Sequence, residues 1–350
     1  MRRVLRLAAY ALLHPDQVSS TGTGTGGPRA GAAADGRVVL VEASRHSDLV
    51  GRWFLPGGGV DHGEHPDDAV VREVAEETGL RVRVLGVQQA LTDVLDLPHR
   101  GVQVHTVRLV YDVEVLGGTL RAEVDGSSEH LAVVTPTEAT VLPLAPYVAR
   151  ALGLPDVELG PLHPDLDALE PLSGVGEPTH APRAGTGTAA GAPAAGDAAV
   201  PRLRVGVYGL ALRDEGAGQD VLLARLADHV AGPDRWTLPG GGLDHGETVE
   251  GCLRRELHEE TGLELRGARL LGVSSTHVTG RAPRGALEDF HGVRLVHEVA
   301  VGPGVPRVVE VDGSTAEAGW VPLADLPGTS VTALVRDALA LLRRRSPRTL

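Results

Sequence analysis

The sequence predicts an α+β protein built twice over, each half a mixed sheet held between helices, with a flexible linker joining the halves. Three observations carry that prediction. The chain repeats its own features once in the same order, short β-rich runs alternate with two helical segments in each half, and a Pro/Ala/Gly/Thr-rich stretch separates the copies. The expected boundaries are 1–152 for the first domain, 153–200 for the linker and 201–350 for the second domain.

In the first half, strand-like runs rich in Val and Leu occupy Leu5–Leu13, Arg37–Ala43, Val82–Val87 and Val102–Val115. The second half has them at Arg204–Leu212, Val221–Leu226, Ala268–Ser274 and Gly292–Val301. One helix follows each Gly-rich turn. Pro66 suits a first helical position, Thr248 is a plausible N-cap, and Gly79 and Gly262 are placed to end their helices in a left-handed conformation. A further helix closes each copy, around Pro146–Leu152 and Val331–Arg343. Two segments have no periodicity: Ser19–Gly36, expected to be a long hairpin loop, and the second part of the linker.

The duplication extends beyond any single motif. GRWFLPGG around Trp53 matches PDRWTLPGG around Trp236, and HTVRLVYDV from His105 matches HGVRLVHEV from His291. EVDGSS at Glu123 matches EVDGST at Glu310, and VARAL at Val148 matches VRDAL at Val335.

Composition limits the possible functions. The chain has 350 residues, 42% of them hydrophobic and 23% charged, as expected of soluble globular domains. A net charge of −13 argues against a broad nucleic-acid surface but not against a small anionic substrate. The basic side chains are all arginine, and a lone cysteine, Cys252, rules out an intrachain disulfide and suits a reducing compartment. Met1–Leu13 faintly resembles a leader, but Arg6 interrupts it and no small-residue cleavage site follows, so it reads as a strand. No apolar run is long enough to span a bilayer, and the expected location is the cytoplasm.

The chemistry is concentrated in GGVDHGEHPDDAVVREVAEETGL (Gly58–Leu80) and GGLDHGETVEGCLRRELHEETGL (Gly241–Leu263). Glu73, Glu76 and Glu77 are three and four residues apart on a helix, so they share one face; Glu256, Glu259 and Glu260 do the same. Val70 and Val74, with Leu253 and Leu257 in the second copy, supply the stripe that packs each helix on its sheet. Crowded carboxylates repel unless a cation sits among them, and oxygen ligands suit a hard divalent ion such as Mg²⁺ or Mn²⁺. A Glu-rich helix face alone usually means only a solvated surface. The arginine beside the first glutamate, the glutamate in the preceding turn and the LPGGG lead-in favour the cation reading.

Both segments fit G-x5-E-x7-R-E-U-x-E-E-x-G-U, with U aliphatic, and the chain resembles the Nudix hydrolase superfamily in two tandem domains. At about 5–7% usage per residue type, one chance match is on the order of 10⁻⁹. The resemblance implies an α/β/α sandwich in each half and cation-dependent attack of water on a pyrophosphate phosphorus in a nucleoside diphosphate-linked substrate. It implies Glu73, Glu76, Glu77 and the Gly57 carbonyl as metal ligands in the first domain. In the second these are Glu256, Glu259, Glu260 and the Gly240 carbonyl. Arg72 and Arg255 would orient the neighbouring glutamate, and Glu73 and Glu256 are candidate general bases. Glu64 and Glu247 would support the loop or reach the cation through water. Glu129 and Glu317 could complete each site from the sheet, or be plain strand-end carboxylates.

His105 and His291 read as half-buried structural histidines, and Cys252 as a small core residue. Arg108 and Arg294 could meet phosphate, although strand arginines are common on surfaces. Two active pyrophosphohydrolases are the leading reading. The alternative is a nucleotide-binding sensor with little turnover, in which eroded glutamates or an attached DNA-reading domain would be more usual. Substrate preference is expected to differ between the copies, which diverge most in Gln88–Gly101 and Ser274–Phe290.

Overall fold

A computed structural model of the chain describes residues 1–14, 36–45, 47–123, 127–158, 199–216, 218–230, 234–281, 287–311 and 313–345. Most of the expected Ser19–Gly36 loop and of the linker lies outside the described residues. The chain forms two compact units, Met1–Arg202 with His277–His291, and Leu203–Thr276 with Gly292–Leu350.

The first half runs β1 (Arg2–Leu12), β2 (Val38–Ala43), β3 (Trp53–Phe54), β4 (Gly57–Gly59), α1 (Pro66–Thr78), β5 (Leu80–Leu97), β6 (Val102–Gly118), β7 (Ser128–Val134), α2 (Pro136–Ala139) and α3 (Pro146–Ala151). Its larger sheet has the order β4–β1–β6–β5 and a smaller one the order β3–β2–β7. The larger sheet is mixed: β1 is parallel to β6 and antiparallel to β4. Apolar residues of both sheets and α3 meet in one core, which includes Tyr10, Leu40, Leu55, Val110, Leu144 and Tyr147.

The second half repeats this plan with β8 (Val200–Leu210), β9 (Leu212–Glu215), β10 (Gly218–Leu226), β11 (Trp236–Thr237), β12 (Gly240–Gly242), α4 (Val249–Thr261), β13 (Leu265–Arg281), β14 (Leu287–Val301), β15 (Thr315–Pro322) and α5 (Ala333–Arg345). Its sheets are ordered β12–β8–β14–β13 and β11–β10–β15. Leu210, Leu223, Leu238, Val296 and Val335 lie in its core. The α+β class and the mixed sheets are as the sequence predicts.

The helices that matter most begin and end as their residues dictate. α1 has Pro66 in its first turn, and the side chain of His65 accepts the Asp67 N–H at 3.1 Å. α4 uses Thr248, whose hydroxyl accepts the Gly251 N–H at 3.0 Å. Gly79 at φ 72° and Gly262 at φ 67° end them in the left-handed region. Val70 and Val74 on α1, and Leu253 and Leu257 on α4, are buried.

The long strands depart from expectation. β5 continues through Leu97 and β13 through Arg281, so much of the divergent Gln88–Gly101 and Ser274–Phe290 segments is ladder rather than loop. The polar residues Gln88, Gln89, Thr92 and Asp93 mask the strand pattern, yet β5 pairs with β6 along its whole length through several bulges. β7 and β15 carry Glu129 and Glu317, consistent with their sheet or strand-end placement, although mixed burial weakens the period-2 signal that would delimit these strands.

Candidate metal and catalytic site

In each half the LPGGG turn forms a short edge strand that brings its backbone against the glutamate helix. Gly57 pairs with Tyr10 and Gly240 with Tyr208. A Cβ on Gly57 would lie 2.2 Å from the Ala9 carbonyl oxygen, and the backbone there has φ 141°. Only glycine fits that approach. The Gly57 N–H then donates to Glu77 Oε2 at 2.8 Å, and the Gly240 N–H to Glu260 Oε2 at 2.8 Å.

Each box arginine ties together most of the carboxylates around it. Arg72 donates from Nε and Nη2 to the two oxygens of Glu64, both at 2.9 Å, and from Nη1 to Glu73 at 2.7 Å and Glu76 at 3.4 Å. Its Nη2 also reaches the Gly59 carbonyl at 3.1 Å. Arg255 repeats the pattern, with Glu247 at 2.9 Å twice, Glu256 at 2.7 Å, Glu259 at 3.2 Å and the Gly242 carbonyl at 3.2 Å. The planar fork permits this set of bonds; an ammonium could not hold the same geometry. Glu64 also accepts the Asp61 N–H at 3.0 Å and Glu247 the Asp244 N–H at 3.1 Å, so both brace the loop ahead of the helix.

The glutamates of one face occupy different environments. Glu77 and Glu260 are buried, whereas the Glu76 side chain is half exposed. Burial pushes the Glu77 carboxyl up to about 8 and that of Glu260 to about 7, with Glu73 and Glu256 adding repulsion. Glu73 and Glu256 are also raised, first by burial. Burial works against the charge of Glu64, yet Arg72 and the Asp61 N–H hold its pKa below the ordinary value. Arg255 does the same for Glu247. Partly desolvated carboxylates crowded beside one another, with one arginine already committed among them, fit a hard divalent cation.

Two further carboxylates join these clusters. Glu123 adds repulsion at Glu77, and Glu310 at both Glu256 and Glu260. Both stand in the repeated EVDGS segments, so the signal was present in the sequence as a second acidic position kept in both copies. The same segments supply hydroxyls: Ser127 donates to Glu77 at 3.3 Å and Thr315 to Glu260 at 2.5 Å. Glu129 is exposed on β7, and Glu317 is exposed on β15 with its carboxylate bonded to Arg225 at 3.0 Å. His105 and His291 are fully buried rather than half-buried, because β6 and β14 are interior strands of their sheets. Cys252 is a buried core residue.

In the first half, Glu77, Gly57 and Gly58 open onto a cavity of about 450 Å³ that Phe54, Arg100 and Arg108 also line. Arg108 and Arg100 are already paired there, with Asp93 and Asp48, so glycine backbone and a buried carboxylate are what this cavity offers a ligand directly.

The family profile of the NUDIX domain matches residues 32–152 and 202–342, and the chain belongs to that family. Among its relatives, the ADP-ribose pyrophosphatase of Methanocaldococcus jannaschii is 36% identical over 88 residues, 25% of this chain and 49% of that protein. The putative 8-oxo-dGTP diphosphatase 2 of Mycobacterium tuberculosis is 44% identical over 94 residues, 27% of this chain and 63% of that protein. The chain therefore spans about half the length of the first relative and less than two thirds of the second. The crystal structure of a MutT NUDIX hydrolase from Burkholderia pseudomallei is 34% identical, with a TM-score of 0.32, covering 40% of this chain and 98% of that one. Among the described residues, no helix is long and apolar enough to cross a membrane.

Proposed function

We propose that each half, 1–152 and 201–350, is a divalent-cation-dependent hydrolase that cleaves a pyrophosphate bond in a nucleoside diphosphate-linked substrate. The observation that carries this reading is the repetition of one arginine–glutamate lattice in both halves, down to the 2.7 Å bond from Arg72 to Glu73 and from Arg255 to Glu256. A duplicate that had become only a scaffold would have no need of this partly desolvated cluster of charges, which is costly to keep.

Glu73, Glu76, Glu77 and the Gly57 carbonyl would hold Mg²⁺ or Mn²⁺ in the first half. Glu256, Glu259, Glu260 and the Gly240 carbonyl would do so in the second. When bound, the cation supplies charge neutralisation at the substrate's phosphate oxygens. Arg72 and Arg255 fix the carboxylates of Glu73 and Glu256, which are our candidates to take a proton from the attacking water. Glu64 and Glu247 anchor the arginine and the loop, and Glu123 and Glu310 add negative charge at the cation position.

The test is turnover of nucleoside triphosphates, ADP-ribose, dinucleoside polyphosphates and nucleotide sugars with Mg²⁺, and after chelation. It compares wild type with Glu77→Gln, Glu260→Gln and the double variant. Each single variant should lose the activity of its own half, and the double variant all of it. Undiminished turnover in the double variant would sink the mechanism.

A further inference from the structure

The two halves keep an arginine at the same strand position but give it different partners. Arg108 on β6 is 7% exposed, and its charge is already matched. It donates from Nε and Nη2 to the two carboxylate oxygens of Asp93, at 2.8 and 2.9 Å, and from Nη1 to the Tyr10 hydroxyl at 2.8 Å. Its guanidinium carbon also lies 4.6 Å from the centre of the Tyr147 ring. Asp93 neutralises the charge, and the Tyr10 hydroxyl and the Tyr147 ring take up a further edge and a face of the guanidinium.

Arg294 on β14 has no such shell. Its Nη1 donates to the neutral hydroxyl of Thr276 at 2.9 Å, and among the described residues no carboxylate lies within ion-pair distance of it. The VARAL/VRDAL match puts Leu334 where the first half has Tyr147, so the ring is missing too. The side chain is half-buried, where a guanidinium is neither fully hydrated nor screened. It is also close to the cation cluster. β14, which carries Arg294, lies beside β8, where Tyr208 pairs with Gly240, and the Gly240 N–H donates to Glu260.

We propose that Arg294 is a specificity-determining residue that receives an additional substrate phosphate in the second half, while Arg108, held by Asp93, cannot do so in the first. The second half therefore prefers the more highly charged substrates, such as nucleoside triphosphates and other polyphosphates. The first prefers diphosphates capped by a neutral group, such as a sugar. This inference rests on the hydrolase reading above.

The experiment measures kcat/KM of the second half alone, in the Glu77→Gln chain, for a nucleoside triphosphate and for a nucleoside diphosphate sugar. Arg294→Gln should lower kcat/KM for the triphosphate at least about tenfold and for the sugar derivative less than about threefold, the loss expected of one charge-assisted contact. Thr276→Asp, which gives Arg294 the carboxylate that Arg108 has, should shift the ratio in the same direction while leaving the guanidinium in place. A parallel readout is equilibrium binding of tripolyphosphate against pyrophosphate to the Glu77→Gln/Glu260→Gln chain, with and without Arg294→Gln. Loss of tripolyphosphate affinity alone supports the proposal. Equal losses for both ligands, or no change in the ratio with either variant, overturns it. Residual turnover in the doubly substituted chain would refute the hydrolase reading, and the binding comparison would still judge Arg294.

Discussion

Gly58 lies so close to Glu73 that a β-carbon on it would sit 2.6 Å from Oε2 of that carboxylate; the same contact between Gly241 and Glu256 is 2.5 Å. Glycine at this position therefore reserves space for the carboxylate. The obstructing atom is the end of a flexible side chain, so the fold can accommodate a methyl group while the glutamate cannot keep its place. Gly58→Ala, assayed in the Glu260→Gln chain, is expected to cut kcat at least about tenfold while Tm moves by only a few degrees. An unchanged kcat would show that the Glu73 carboxylate is not needed where it stands.

Gly57, one residue earlier, should behave in the opposite manner. Its added Cβ would meet the Ala9 carbonyl at 2.2 Å and the Tyr10 Cα at 2.6 Å, both backbone atoms of a core strand, from a left-handed φ of 141°. Gly57→Ala is expected to cost at least about 2 kcal/mol, read as a fall in urea midpoint or in soluble yield. Wild-type stability with Ala at this position would contradict the close approach of β4 to β1.

Arg72→Lys keeps the charge and loses the fork. Five contacts to Glu64, Glu73, Glu76 and the Gly59 carbonyl reduce to what one ammonium can make. In the Glu260→Gln chain we expect kcat to fall about 10- to 100-fold with KM within about threefold, since the loss is of orientation and not of binding charge. Steady-state kinetics on the best substrate of the first half decides this, and a loss below twofold would exclude an orienting role.

His297 should make the fold acid-sensitive. Burial lowers its pKa from 6.5 to about 4. Between those values the unfolded chain binds the proton and the folded chain does not, so stability present above pH 6.5 is lost as pH falls towards 4. His297→Leu removes that contribution. The drop in Tm between pH 7.5 and 5 should be smaller in the variant than in wild type, and parallel curves would show that another group dominates.

The clearest difference between sequence and structure lies outside the helices. On α1, the caps at His65 and Gly79 and the buried Val70 and Val74 follow from local rules, and the spacing of Glu73, Glu76 and Glu77 already placed them on one face. Glu123 and Glu310 carry no local mark of their place although their EVDGS segments are repeated, because an isolated acidic residue in a connecting segment has no periodicity. Their segments pass the helix C-terminal ends, where the Arg121 N–H donates to the Thr78 carbonyl and the Arg307 N–H to that of Thr261, both at 2.9 Å. Such contacts depend on chain return over tens of residues, which no local pattern encodes.

By itself the sequence determined the duplication, the α+β class and the chemical character of the two boxes, because these depend on residue type at fixed short spacings. Tertiary structure decided how each charged group is used. It buried Glu77 and Glu260 while leaving Glu76 half exposed, and it set Arg108 against Asp93, Tyr10 and Tyr147 while among the described residues Arg294 is bonded to the neutral Thr276. The reason is physical: charge at a site is set by desolvation and by neighbours from other strands, and both exist only once the sheets have closed on the helix.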